Sequence, residues 1–182
     1  IDHSGSMNDP VGGTTKISGA RQGLAEFVGL LGDLDNLGLT QFSDQEQVLT
    51  PLSPLGPKRQ QVLSTINTLS AAGNTRLFDT ISDQVRSLQA FPSKHIKAMV
   101  VLTDGVDDAS TTTIAQLLQQ ITPTGANAGE GIKVYTIAYG DAQGSGVDVK
   151  DLRAIAGATG GQEYAGTPQN IKQVYLNISE FF

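Results

Sequence analysis

The stretch Ala98-Met99-Val100-Val101-Leu102-Thr103-Asp104-Gly105 decides the fold class. A strand with one wet face alternates apolar and polar residues, whereas Ala98 to Leu102 is apolar without a break. Such a run marks a central strand of a parallel sheet, covered by helices on both faces. Asp104-Gly105 then turns the chain sharply, which leaves the Asp104 carboxylate at the strand's carboxyl end. Open α/β sheets bind their ligands at that edge.

Helical and extended patterns alternate outward from this strand. Before it, apolar spacing predicts a helix over residues 76–89, preceded by the loop Ala71-Ala72-Gly73-Asn74-Thr75. Pro57 opens an earlier helix, with Val62, Leu63, Ile66 and Leu69 apolar. Residues 37–42 and 47–52 read as an antiparallel hairpin at a sheet edge, joined by a turn at Ser43-Asp44-Gln45-Glu46. A further helix begins at Lys16 with Ile17, Ala20, Leu24, Phe27, Val28 and Leu31 on one face, and ends at Gly32-Asp33. Residues 8–15 read as an exposed loop.

After the strand come a helix over 110–121, a strand over 132–139, a glycine-rich loop over 140–146 and a helix over 149–158. A short strand at 162–164 and a last helix from Pro168 follow, the helix burying Ile171, Val174, Tyr175 and Ile178. Strands alternating with helices imply a parallel sheet with helices on both faces. No repeat, low-complexity tract or domain boundary interrupts this order, so residues 1–182 are expected to form one domain.

Composition removes several function classes. The 182 residues are 38% hydrophobic, enough for an ordinary core. A formal charge of −6 without a long basic run argues against nucleic-acid binding and fits poorly with adhesion to anionic lipid. The absence of cysteine excludes disulfides, thiolate metal sites and cysteine nucleophiles. No apolar run approaches the roughly 18 residues of a membrane span, so direct membrane insertion by these residues is not expected. No signal peptide is visible.

Chemistry concentrates in Ile1-Asp2-His3-Ser4-Gly5-Ser6-Met7. An acid followed at two-residue steps by two hydroxyls, with a permissive glycine between them, suits a tight loop around a small hard cation. Mg²⁺ takes such oxygen ligands in an octahedron and usually keeps sites for water or a partner. Alone the motif is weak, since a capped turn reads the same way. Its weight comes from Thr75 and Asp104, which offer further hard oxygens at the same sheet edge.

On these residues the chain resembles a von Willebrand factor type A domain of bacterial type. Asp2-x-Ser4-x-Ser6, Thr75 within Gly73-Asn74-Thr75-Arg76-Leu77-Phe78-Asp79, and Thr103-Asp104-Gly105 together match that family's metal-ion-dependent adhesion site. Supporting segments are Leu39-Thr40-Gln41-Phe42-Ser43, Val134-Tyr135-Thr136-Ile137-Ala138 and Ile155-Ala156-Gly157-Ala158-Thr159-Gly160-Gly161. The resemblance implies a three-layer Rossmann-like α/β fold: a mostly parallel central sheet, an antiparallel edge strand, and helices on both faces. It implies Asp2, Ser4, Ser6, Thr75 and Asp104 as metal residues, with Mg²⁺, or else Mn²⁺ or Ca²⁺, as the ion. Ser4, Ser6 and Thr75 would approach it through hydroxyls, and the two aspartates directly or through water. The family's first strand precedes Asp2, so here that strand is expected to be largely absent. His3 departs from the small or β-branched residue the family favours.

The function expected is a non-enzymatic, metal-dependent protein-binding module whose ion takes an Asp or Glu carboxylate from a partner. The surface or envelope of a bacterium is the favoured location, with the cytoplasm as alternative. One alternative function is a cytoplasmic assembly component working beside an ATPase, of chelatase or chaperone type. Another is Mg²⁺-dependent phosphotransfer on Asp2, disfavoured because Ser4 stands where an acid–base group is needed and no lysine lies in the three rim segments. Asp107 and Asp108 read as a solvated loop with Asp108 or Ser110 capping the next helix, rather than a second cation site. Asp79 reads as a structural acid at a helix start, the 140–146 loop as surface rather than phosphate cradle, and His95 as solvent-facing. Asn177-Ile178-Ser179 reads as a chance glycosylation sequon.

Overall fold

A computed structural model describes residues 1–92, 96–124, 131–140 and 147–181. The apolar run becomes strand β5 (Ala98–Thr103), which pairs in parallel with β6 (Lys133–Tyr139) from Ala98↔Lys133 to Thr103↔Ala138. Strand β7 (Glu163–Gly166) adds to the other side of β6, also in parallel. The hairpin is β3 (Asn36–Phe42) against β4 (Glu46–Pro54), antiparallel as expected. Residues 8–15 are not a plain loop. Pro10–Val11 (β1) and Thr14–Thr15 (β2) pair antiparallel around Gly12 and Gly13, whose φ angles of 56° and 85° supply the positive-φ turn that such a short hairpin needs.

The expected mostly parallel central sheet divides into separately bonded parts. β5-β6-β7 is all parallel, β3-β4 is antiparallel, and Ile1–His3 joins the two. Asp2 N donates to Leu102 O at 2.9 Å, while His3 N donates to Phe42 O and Phe42 N to Ile1 O. Beyond Ile1, the facing sides of β3 and β5 line a cavity of about 710 Å³, with Leu37, Leu39, Ala98 and Val100 among its walls.

Helices cover both faces. Along β6, Tyr135, Ile137 and Tyr139 join Leu102 in a core with α1 (Lys16–Leu30), α2 (Arg59–Asn67) and α6 (Ile171–Ser179). Val134 and Ala138 point the other way, with Val101, into a core with α3 (Leu77–Ala90), α4 (Ile114–Ile121) and α5 (Val149–Thr159). This alternation explains why β5 and β6 carry no polar face. Each large apolar side chain so buried contributes roughly 1.5–3 kcal/mol. Phe27 of α1 stacks on Tyr175 of α6 with ring centroids 4.8 Å apart, locking one layer together. Ile171, Val174, Tyr175 and Ile178 are all buried, as the last helix's spacing predicts.

Three helix starts differ from expectation, one of them that of α6, which begins at Ile171 rather than Pro168. Pro57 lies in a 3₁₀ turn, Gly56–Lys58, and α2 begins at Arg59. Helix α4 begins at Ile114 rather than near Ser110, because Thr113 and Gln116 form a reciprocal capping box there. His95 and residues 141–146 of the glycine-rich loop lie outside the described residues. Among the described residues, no helix is long and apolar enough to cross a membrane.

Candidate metal centre

Asp2 is pinned by the strand ends on either side of it and is fully buried. Its Oδ1 accepts Ser4 N at 2.7 Å, which folds residues 2–4 into a tight turn. Its Oδ2 accepts the Thr103 hydroxyl at 2.5 Å. The chain then enters a 3₁₀ turn, Gly5–Asn8, anchored by buried Met7. Gly5 N donates to Gly73 O at 2.8 Å and Ala72 N to His3 O at 2.7 Å, so the first loop is laced to the loop before α3. The unexpected His3 fits, its Nδ1 lying 3.0 Å from Ser70 O.

The turn brings the hydroxyls together. Ser4 Oγ lies 3.1 Å from Ser6 Oγ, and Ser6 Oγ donates to Asp104 Oδ1 at 2.8 Å. Thr75 arrives from the second loop. A Cβ placed on Gly105 would lie 3.1 Å from Thr75 Oγ1, so the threonine hydroxyl sits against the backbone that follows Asp104. Ser4, Ser6, Thr75 and Asp104 therefore meet at one rim, and fully buried Asp2 joins them through Ser4 N and Thr103 Oγ1. Ser6, Thr75 and Asp104 line an open depression of about 330 Å³ together with Asp9, Lys16 and Asp108, and Asp2 does not.

Other aspartates hold this rim in shape. Asp108 Oδ1 accepts Thr75 N at 2.7 Å. Asp107 Oδ1 accepts Leu77 N at 2.8 Å, Phe78 N at 3.1 Å and the Ser110 hydroxyl at 2.6 Å. Neither Asp108 nor Ser110 caps the following helix, whose cap is Thr113; Asp107 and Asp108 instead serve α3 and Thr75 across the loop. Buried Asp79 accepts Thr111 N and Thr112 N, each at 2.9 Å, and pairs with Arg76 at 3.1 Å. Burial opposes its charge, but those donors outweigh burial and hold its carboxyl well below the usual carboxylate range.

Asp2 shifts the opposite way. Burial raises its pKa, only partly offset by the Thr103 and Ser4 hydrogen bonds, and the Asp104 charge adds to the rise. Among the described residues no three His, Cys, Asp or Glu side chains cluster as a metal-binding group. Any ion here rests on two carboxylates supplemented by three hydroxyls, a hard-oxygen set suited to Mg²⁺.

Sequence reasoning missed Lys16. The β1-β2 hairpin folds the chain back so that Lys16 N bonds Asp9 O, and Lys16 Nζ lies 2.6 Å from Asp104 Oδ2. The lysine absent from the three rim segments is present in the site after all. Burial disfavours the ammonium, yet its hydrogen bond and attraction to Asp104, with a contribution from Asp9, raise its pKa overall. No local pattern marks it, since a lysine opening an amphipathic helix ordinarily faces water.

Comparison with known proteins bears on this geometry. A von Willebrand factor type A protein from Catenulispora acidiphila superposes with a TM-score of 0.79 at 24% identity, covering 98% of this chain and 40% of that one. BatB from Bacteroides thetaiotaomicron gives 0.74 at 17%, covering 98% and 94% of the respective chains. The pilus adhesin SpaC from Lactobacillus rhamnosus GG gives 0.74 at 18%, covering 99% and 29%. The chain thus spans well under half the length of the Catenulispora protein. No curated protein sequence matches significantly. At these identities the superpositions establish the fold alone. The sequence profile of the von Willebrand factor type A domain matches residues 1–178, and the chain belongs to that family.

Proposed function

We propose that this chain is a Mg²⁺-dependent protein-binding module. Ser4, Ser6 and Thr75 would hold the ion through hydroxyls, and Asp2 and Asp104 would balance its charge. The ion supplies a Lewis-acidic position for a carboxylate from a partner protein. The observation that carries this reading is the convergence of Ser4, Ser6, Thr75 and Asp104 oxygens from three separated segments on one rim, with buried Asp2 bonded into the same turn. The family is one whose domains typically mediate interaction or adhesion, and two superposing structures are a pilus adhesin and a minor pilin from Streptococcus sanguinis. Both support an interaction role at a bacterial surface.

Lys16 removes one objection to phosphotransfer, but Asp2 supplies a stronger one. Both of its oxygens are engaged, by Ser4 N and Thr103 Oγ1, and it is fully buried. A nucleophile must reach its substrate. Binding is therefore the better reading.

The test is calorimetric titration of chelator-stripped protein with Mg²⁺, beside Asp104→Ala. Saturable heat in the parent and its loss in a folded variant are expected. A folded parent that takes up no Mg²⁺ overturns the proposal.

A further inference from the structure

Both oxygens of Asp104 are occupied, Oδ1 by the Ser6 hydroxyl at 2.8 Å and Oδ2 by the Lys16 ammonium at 2.6 Å. The Asp104 side chain is fully buried and that of Lys16 is 12% exposed, so this ion pair is shielded from solvent. Asp9 lies 3.6 Å from the same ammonium but is 63% exposed, which makes it the weaker partner. The lysine's position is not explained by its helix. Lys16 is the first residue of α1, where a cation opposes the helix dipole and an acid would be favoured. The β1-β2 hairpin nevertheless delivers its ammonium to the rim. Among the residues lining the depression it is the one basic group, against Asp9, Asp104 and Asp108.

We propose that Lys16 sets the cation affinity of this centre. Its ammonium neutralises Asp104, so a divalent ion meets one uncompensated carboxylate, Asp2, in place of two. The inference rests on the metal-binding reading above. Its consequence is a trade: a divalent ion is held less tightly, but an ion facing one net negative charge keeps positive charge with which to attract a partner's carboxylate. A purely structural lysine would act on fold stability and leave ion affinity alone.

The experiment is calorimetric titration with Mg²⁺ of the chelator-stripped parent, Lys16→Met and Lys16→Arg at one ionic strength, with a thermal melt of each. Lys16→Met keeps the aliphatic stem and removes the charge. Its dissociation constant for Mg²⁺ is expected to fall at least about tenfold, the lower bound that Coulomb's law gives for one unit charge beside a divalent ion in bulk water, because this pair is shielded. Lys16→Arg is expected to stay within about threefold of the parent, because it keeps the charge. Should Lys16→Met fail to fold, Lys16→Gln, which retains a donor towards Asp104, is read in the same way. Equal or weaker binding by the neutral variant overturns the proposal while leaving the metal reading intact. Absence of saturable heat in all of the proteins overturns the metal reading and this inference with it.

Discussion

One substitution, aspartate to asparagine, is expected to have unlike consequences at two buried positions. Asp79 and Asp2 are 4% and 0% exposed. At Asp79 both oxygens face backbone N–H groups, Thr111 N on Oδ2 and Thr112 N on Oδ1. The amide of Asp79→Asn must turn its NH₂ towards one of them, leaving a buried donor against a donor, and the Arg76 pair loses its charge. An orphaned buried donor costs about 1–3 kcal/mol and a charged hydrogen bond about 1.5–3 kcal/mol. Allowing for relaxation, the expected loss is about 3 kcal/mol. At Asp2 the second oxygen faces a hydroxyl, Thr103 Oγ1, which can accept from an amide as readily as it donates to a carboxylate. Asp2→Asn also removes a charge that burial disfavours. Its stability in chelator is expected to lie within about 1 kcal/mol of the parent. Urea unfolding of the three proteins at pH 7 in chelator measures both quantities. Equal losses in the two variants, or an Asp79→Asn loss under about 1 kcal/mol, would refute the donor-by-donor reasoning.

Other expectations follow from the same geometry. Asp79 has a depressed pKa in the folded chain, so its stabilisation is complete above its unfolded value, about 3.9, and is lost as pH falls through the folded one. The stability gap between parent and Asp79→Asn should therefore be constant from pH 7 to 5 and narrow below about pH 4 in urea titrations. Asp107→Ala strips the acceptor from Leu77 N and Phe78 N, and should cost about 1–2 kcal/mol while loosening Mg²⁺ binding through Thr75. Gly161→Ala places a methyl into the carbonyl of Val134, and should lower the melting temperature with no compensating gain in Mg²⁺ affinity. Mg²⁺ at a hundredfold excess over its dissociation constant should stabilise the parent by about 2.7 kcal/mol, and Asp104→Ala not at all, by thermal melt.

Much of this was legible in sequence because the signals were local or were set by the core. The unbroken run at residues 98–102 has one cheap solution, burial on both faces, and the structure adopts it. The stripe of the last helix and the hairpin at 36–54 are likewise decided by spacing. Asp2, Ser4, Ser6, Thr75 and Asp104 were found together because each lies at a strand end or in the loop beside one, and topology brings such positions to one edge. What stayed hidden depends on side chains meeting across long sequence gaps. Lys16 reaches Asp104 over 88 positions, through a hairpin of two-residue strands that no apolar pattern announces. Asp107 caps a helix that begins 30 residues before it, so local patterning leaves it in a solvated loop.

The aspartates of the rim divide by the donors they face. Asp44, Asp79, Asp107 and Asp108 accept backbone N–H groups from Asn74, Thr111, Thr112, Leu77, Phe78 and Thr75. A backbone donor cannot turn away, so a carboxylate that leaves it strips the partner from a fixed N–H, one that is partly buried at Thr75, Leu77 and Phe78. These four acids are thereby committed to fixing loop geometry. Asp104 instead faces a serine hydroxyl and a lysine ammonium, and one oxygen of Asp2 faces a threonine hydroxyl. Hydroxyls rotate, so the Ser6 and Thr103 contacts can be exchanged for a cation at little cost, while the Lys16 ammonium stays on Asp104. A hydroxyl that gives up its carboxylate still has lone pairs to offer the ion. An acidic rim thus presents few carboxylates free to respond. An ion held mainly by neutral hydroxyls keeps most of its charge, and that is the property a docking carboxylate requires.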